Sequence, residues 1–188
     1  MARWVFEPGH TAAHFRVRHM MVTNVRGRFS DVTGHVDFDP ANPVDGAVEA
    51  RIDTATLWTG EEARDAHLRD DDFLGVDEHP EMVYRGDRVE PLGCNELRVH
   101  GELTLRGVAR EVPLDVRYLG MWSTPYWDEG EERGPVRRVG FEATAALDRT
   151  AFGVDWNSPM EGGGTVVGDE VRITLDVEAL ESGVVEGI

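Results

Sequence analysis

Apolar and polar residues alternate along most of this chain. In residues 97–106 the apolar side chains Leu97, Val99, Leu103 and Leu105 fall on one side, and polar side chains fall on the other. Because successive side chains of a strand point to opposite faces, this pattern predicts a strand with one buried face. The same alternation recurs at 32–38, 48–52, 112–118, 139–147 and 171–179. Strands therefore supply nearly all the apolar surface, so the sheet must close on itself or form a sandwich.

A few segments interrupt the alternation. Residues 59–62, Thr-Gly-Glu-Glu, predict the start of a helix that runs to about Arg69, with Thr59 capping the backbone N–H of Glu62. Residues 20–22 predict a short turn of helix, and residues 123–135 predict an acidic loop that contains Gly and Pro. No linker or internal repeat divides the 188 residues, so we expect one all-β domain over 1–188 with its core at about 3–180.

The composition is strongly acidic. The formal net charge is −17, with 36 acidic residues against 19 basic ones, all of which are Arg. Such a surface repels phosphate backbones and anionic head groups, which argues against nucleic-acid binding and against electrostatic docking on a membrane. No apolar run approaches the ~20 residues that span a bilayer, so stable membrane insertion is not expected.

The first residues lack the apolar stretch of a secretory signal, and the lone Cys94 cannot form an intrachain disulfide. Both observations favour a reducing, cytoplasmic location.

The sequence contains no recognisable catalytic or metal motif. His14 and His19 are five residues apart, so on one strand they face opposite sides, and neither a His-x-His nor a Cys pair is present. Nucleophile-elbow, P-loop and dinucleotide-binding patterns are also missing. The Asp run at 70–72 is typical of a solvated surface. We therefore predict no enzyme, no catalytic residue, no metal and no cofactor.

The apolar face itself is the remaining candidate. Phe15, Val17 and His19 share one side of the second strand, and if that side faces inward, His19 is a polar anchor in an apolar cavity. Alternatively, His19 is a core histidine bonded to the backbone, or lies at the rim of the barrel. Large residues such as Phe141 and Phe152 either line a pocket or fill an eight-stranded barrel completely. The residues alone leave both possibilities open.

Four blocks of the sequence resemble the YceI-like family. They are residues 4–29, which end in Val-x-Gly-x-Phe, the helix block 64–73, the Gly-x-Leu-Thr-x-x-Gly element at 101–107, and the Arg-x-x-Phe-Gly turn at 149–153. The resemblance implies a lipocalin-like antiparallel barrel of about eight strands, with one or two short helices, around a long apolar cavity. The residues that it points to as ligand contacts are Phe15, Val17, His19, Phe29, Leu103, Leu105 and Phe152, and the apolar face adds Phe141. In the helix block, Arg64 and Asp65 are expected to hold the helix on the barrel.

The resulting hypothesis is a non-catalytic protein that sequesters or carries a long-chain isoprenoid, a quinone or a similar amphiphilic lipid. A filled barrel with a structural or interaction role, either alone or as a homodimer, is the main alternative. An enzyme that acts on a bound lipid is a second one, for which His19 has no obvious partner in the sequence.

Overall fold

Strands make up most of residues 1–128 and 130–185, the part of the chain that the computed structural model describes. The strands are β1 (Ala2–Phe6), β2 (Ala12–His19), β3 (Thr23–Phe29), β4 (Val32–Phe38), β5 (Ala47–Asp53), β6 (Glu81–Gly93), β7 (Glu96–Leu105), β8 (Val108–Glu111), β9 (Leu114–Asp128), β10 (Glu131–Asp148) and β11 (Val167–Glu181). The helices are α1 (Glu62–Arg69) and α2 (Ser182–Val185), and the 3-10 turns are Pro43–Asp45, Thr54–Thr56 and Arg149–Phe152.

Eight of these strands close into an antiparallel barrel. The ring runs β1-β4-β5-β6-β7-β9-β10-β11, and it closes because β1 pairs with both β4 and β11. At the closure Trp4 lies opposite Val36 on one side and Glu181 on the other. The predicted all-β barrel of about eight strands is therefore confirmed. The β2–β3 hairpin is not one of these eight strands but extends the barrel wall beside them, because β2 pairs with β11 and β3 pairs with β2 alone among the strands.

The prediction of an acidic loop at 123–135 is wrong. β9 and β10 continue as a paired ribbon through this segment, with Arg137 opposite Ser123 and Glu132 opposite Trp127. The β-branched and aromatic residues of the segment favour strands, and the two prolines are placed directly opposite each other. The acidic side chains misled the prediction because a solvent-exposed ribbon accommodates them as well as a loop does. Residue 129, within the predicted loop, lies outside the described residues.

Two local predictions also need correction. Residues 20–22 form a hairpin turn instead of a turn of helix, because Met20 and Met21 have positive φ angles of 47° and 58°. Helix α1 is capped by Glu61, whose carboxylate accepts hydrogen bonds from the backbone N–H groups of the first turn. Thr59 does not cap the helix, since its hydroxyl and backbone N–H both donate to the carboxylate of Asp65.

Large side chains pack both ends of the barrel. At one end Phe38 contacts Tyr118 and Phe141, with ring centroids 5.0 Å away in each case. At the other end Phe73, in the segment that follows α1, is 5 % exposed, and Phe152 is 2 % exposed. Between the two ends the inner face of the sheet is not filled.

Within the described residues, no helix has the length and hydropathy needed to cross a bilayer.

Candidate functional site

An apolar cavity of about 260 Å³ lies inside the barrel. It reaches from the β4–β5 connection, where Pro43 and Gly46 contact it, to Leu68 and Leu74 at and after helix α1. Most of the residues that line it are aliphatic or aromatic. The cavity follows from the alternation in the sequence, because alternate residues along most of the barrel strands point toward it.

Strand β11 shows most clearly that the barrel is hollow. Val171, Ile173, Leu175 and Val177 all line the cavity, yet each is only half-buried. A residue that points into a packed core is normally buried completely. Their remaining exposure therefore reflects free space inside the barrel.

The structure brings six of the eight predicted site residues to the cavity wall. These are Phe15, Val17, Phe29, Leu103, Leu105 and Phe141. His19 and Phe152 do not line the cavity. His19 is the last residue of β2, half-buried beside the hairpin turn, and Phe152 is enclosed by the packing around its own 3-10 turn. Alternation fixes the side of the sheet on which a residue lies but not whether it borders the cavity, since Val167, opposite His19 on β11, lines the wall and His19 does not.

Other wall residues were not among the predicted ones. Strand β5 contributes Val48, Ala50 and Ile52, and the segment after α1 contributes Phe73 and Leu74. The first three follow the same alternating pattern, so parity alone identifies them. The pair that follows α1 carries a weaker signal, which is the presence of two large apolar residues directly after the Asp run at 70–72.

The most deeply buried polar groups of the wall already have partners within the protein. The hydroxyl of Tyr84 lies 3.0 Å from the carbonyl oxygen of Val112 and 3.3 Å from that of Val99. Burial, together with the negative charge of Glu111, raises the pKa of Tyr84, so this phenol stays neutral. Its hydroxyl proton is donated to a backbone carbonyl oxygen, so Tyr84 offers no free donor to a ligand.

Arg149, which is 4 % exposed, is satisfied in the same way. Its guanidinium donates to the carbonyl oxygens of Gly168 (2.9 Å), Val154 (2.6 Å) and Trp156 (3.1 Å). It also contacts a carboxylate oxygen of Asp169 at 3.2 Å. This buried arginine therefore holds the segment between β10 and β11 against the end of the barrel.

The helix block (residues 64–73) lies against the barrel. Its charged residues Arg64 and Asp65 do not touch the cavity. The Arg64 side chain donates to the hydroxyl (2.7 Å) and the carbonyl oxygen (3.0 Å) of Thr59. The buried carboxylate of Asp65 accepts from the backbone N–H of Thr59 at 2.9 Å. Neither residue lines the cavity. Their contacts attach α1 to the strand connection before it.

One side-chain cluster outside the cavity has the composition of a metal site. Glu7, His10 and Glu178 offer ligand atoms within 4.8 Å of one another. However, the Arg138 guanidinium contacts the carboxylates of both Glu7 and Glu178. A cation that replaced this contact would have to displace an arginine that is only 14 % exposed. We therefore interpret the cluster as an ion-pair network.

Comparison with known proteins identifies a matching family, relatives in sequence and structures with a similar fold. A family model described as the YceI-like domain matches residues 4–179. A UPF0312 protein of Staphylococcus aureus is 28% identical over 178 residues, which cover 95% of this chain and 97% of that protein. The crystal structure of BcnA from Burkholderia cenocepacia superposes with a TM-score of 0.74 at 22% identity, covering 93% of this chain and 99% of that one. A polyisoprenoid binding domain from Saccharophagus degradans, implicated in plant cell wall breakdown, has a TM-score of 0.66 at 12% identity, with 96% and 99% covered. Since the family model spans nearly the whole of this sequence, the chain belongs to the YceI-like family.

Proposed function

We propose that this protein binds an apolar or amphiphilic chain molecule inside its barrel and sequesters or carries it without changing it chemically. The observation that supports this proposal is the apolar cavity of about 260 Å³. Atoms that border an empty apolar cavity lack packing partners on one side, which lowers the stability of the fold. An apolar chain in the cavity restores these contacts and leaves water at the same time.

A polyisoprenoid or a related lipid is the ligand class that we propose. The Saccharophagus degradans structure with the same fold is described as a polyisoprenoid binding domain. In this chain the lining residues, including Phe15, Val17, Phe29, Leu103 and Phe141, offer the aliphatic and aromatic surface that suits such a chain. We propose these residues as ligand contacts.

The size of the cavity limits how much of a ligand it encloses. A cavity of roughly 150 Å³ holds one benzene ring of six carbons, so by the same ratio this cavity holds about ten carbons. About ten carbons correspond to two isoprene units. A longer isoprenoid would therefore extend beyond one end of the barrel unless the barrel widens.

Selection in such a site rests on length and shape. The Tyr84 hydroxyl and the Arg149 guanidinium are engaged by backbone oxygens, so they do not select a head group. The absence of a nucleophile or acid–base pattern in the sequence supports a binding role in preference to catalysis. The free space along β11 supports binding over the filled-barrel alternative.

The proposal is tested by native mass spectrometry of freshly purified protein, followed by organic extraction of what is bound. The expected result is an isoprenoid or another amphiphile in near-stoichiometric amount. Ile173→Asp places a charge on the cavity wall, and Thr174→Asp is the matched control on the outer face of the same strand. The first variant should lose the ligand and the second should keep it, with circular dichroism confirming that both fold. A ligand-free mass that does not change when such lipids are added would contradict the proposal.

A further inference from the structure

The β2–β3 hairpin carries a charge opposite to that of the rest of the protein. No Asp or Glu occurs between Glu7 and Asp31, although the chain has 36 acidic residues. The same segment contains four arginines. They are Arg16, Arg18, Arg26 and Arg28. All four are exposed, because they occupy the face of the hairpin that points away from the barrel.

The strand register places arginines side by side. Arg16 lies opposite Arg26 on β3 and opposite Arg172 on β11, so three guanidinium groups form a row across three strands. Like charges directly opposite each other in a sheet destabilise it. Arg172 is bound to Glu170 at 2.6 Å, whereas Arg16 and Arg26 make no ion pair with any described residue. Arg16 and Arg26 therefore gain no stabilisation from an ion pair with the described residues, which makes them candidates for binding an anionic partner.

The tip of the hairpin is apolar and exposed. Met20, Met21 and Val22 are 46 %, 52 % and 79 % exposed. Met20 and Met21 also adopt positive φ angles, a conformation that hairpin turns usually assign to Asn or Gly. Two apolar side chains thus occupy positions where both folding and solubility favour other residues. Such a pair is expected where the side chains themselves make contact with an apolar partner.

An aromatic residue lies beside the basic face. The Trp58 ring is 5.2 Å from the Arg28 guanidinium, and residue 58 forms a β-bridge with residue 28. Trp58 is 55 % exposed. Tryptophan is enriched where proteins meet the interface between lipid head groups and water.

We propose that this hairpin docks on the surface of a bilayer that contains anionic phospholipids. In this arrangement residues 20–22 enter the head-group region, Arg16 and Arg26 contact lipid phosphates, and Trp58 lies at the interface. Apolar side chains flanked by arginines combine the two attractions that hold peripheral proteins on such membranes. The proposal concerns a surface outside the cavity, and docking does not require that the cavity be occupied.

The net charge of −17 does not prevent this docking. At physiological ionic strength electrostatic interactions fall off over ~8 Å, so acidic residues elsewhere on the barrel are screened from the contact. Two acidic residues share a surface groove with Arg16 and Arg26, and each is engaged by an arginine. Glu170 binds Arg172 at 2.6 Å, and Asp115 binds Arg98 at 2.7 Å.

The hairpin also connects the membrane to the cavity. Its inner face contributes Phe15, Val17 and Phe29 to the cavity wall, while its outer face carries the arginines. Docking would therefore place one wall of the cavity directly against the bilayer. A lipid that moves between the bilayer and the cavity would therefore travel only a short distance.

The test is co-sedimentation with vesicles of phosphatidylcholine alone and of phosphatidylcholine mixed with phosphatidylglycerol. The wild type should bind only the mixed vesicles, and added salt should weaken the binding. Arg16→Gln combined with Arg26→Gln should reduce binding about thirtyfold, because each arginine near an anionic surface contributes about 1 kcal/mol. The matched control is Arg85→Gln combined with Arg88→Gln, which removes the same charge from exposed arginines elsewhere and should leave binding unchanged.

A second variant separates docking from stability. Met20→Asn combined with Met21→Asn should raise the melting temperature, since Asn tolerates positive φ, and should lower vesicle binding at the same time. Equal binding to neutral vesicles, no binding to either kind, or equal loss in the control variant would overturn the proposal. Loss of binding in Trp122→Ser combined with Trp127→Ser, on the β9–β10 ribbon, would overturn it as well. Ligand extraction from the variant that combines Arg16→Gln with Arg26→Gln measures occupancy of the cavity independently of docking. Failure of docking and failure of cavity binding are therefore distinguishable.

Discussion

The cavity predicts a limit on the length of chain that increases affinity. We expect linear primary alcohols to bind more tightly as each carbon is added, until the chain fills the barrel. Each methylene group that leaves water contributes about 0.8 kcal/mol, which corresponds to about a fourfold gain in affinity per carbon. At the volume of about 260 Å³, the gain should end at roughly ten carbons.

A substitution that occupies part of the cavity should move this limit. Ala50 points into the cavity between Gly34 and Tyr84, and it is only half-buried there, so space exists beside it. Ala50→Leu adds three carbons to the wall and should shorten the optimal ligand by about three carbons. Ala146→Leu is the control, because Ala146 is exposed on the outer face of β10 opposite Arg172.

Isothermal titration calorimetry across the alcohol series measures the slope of binding free energy against chain length and the chain length at which the gain ends. The slope tests whether apolar contact determines affinity, and the break tests the volume. A slope that continues well beyond roughly ten carbons would show that the barrel widens or that the chain lies elsewhere. An unchanged break in Ala50→Leu, or an equal change in Ala146→Leu, would refute the assignment of the cavity as the binding site.

Three further predictions concern stability. Phe73→Ala should lower the free energy of unfolding in urea by ~3–5 kcal/mol, because Phe73 is buried against the rings of His67 and Trp156, and a loss below ~1 kcal/mol would contradict this packing. Arg149→Met should lower the same free energy by ~3 kcal/mol or more, since it leaves several buried carbonyl oxygens without a donor, and a thermal melt close to that of the wild type would contradict the role of Arg149. The hydrogen bond from Arg3 lowers the pKa of Asp37, so the stability that this pair contributes is present above the ordinary carboxyl pKa and is lost as the pH falls through the lowered one. The difference in unfolding free energy between wild type and Arg3→Gln should therefore be largest at neutral pH and should shrink in acid, and a constant difference would exclude this linkage.

Much of the fold was predictable because a period of two residues defines the inner and outer face of each strand. That period placed Leu103, Leu105 and Phe141 on the cavity side, and the geometry agrees. Position along the barrel axis is not encoded in the period. His19 has the right parity and lies at the end of β2, yet it does not border the cavity, although its partner Val167 on β11 does.

Local conformation was less predictable where charge or hydrophobicity pointed elsewhere. The acidic residues of 123–135 suggested a loop, yet the pairing of β9 with β10 orders the described part of that segment. Met20 and Met21 have no sequence signal for positive φ, since Asn and Gly are the residues that mark such turns. The turn is set by the hydrogen-bonded strands on either side of it, for example where His19 pairs with Thr23.

The acidic composition argued against membrane docking, and the placement of the charges changes that conclusion. A total charge describes attraction at long range, whereas docking depends on the charges within a few ångströms of the contact. The β2–β3 hairpin presents four arginines and no acidic residue. In other orientations the negative charge of the protein opposes approach to an anionic surface, while in this one the arginines favour it. The acidity therefore selects the orientation in which the hairpin faces the bilayer. In that orientation the part of the cavity wall formed by Phe15 and Val17 faces the bilayer as well.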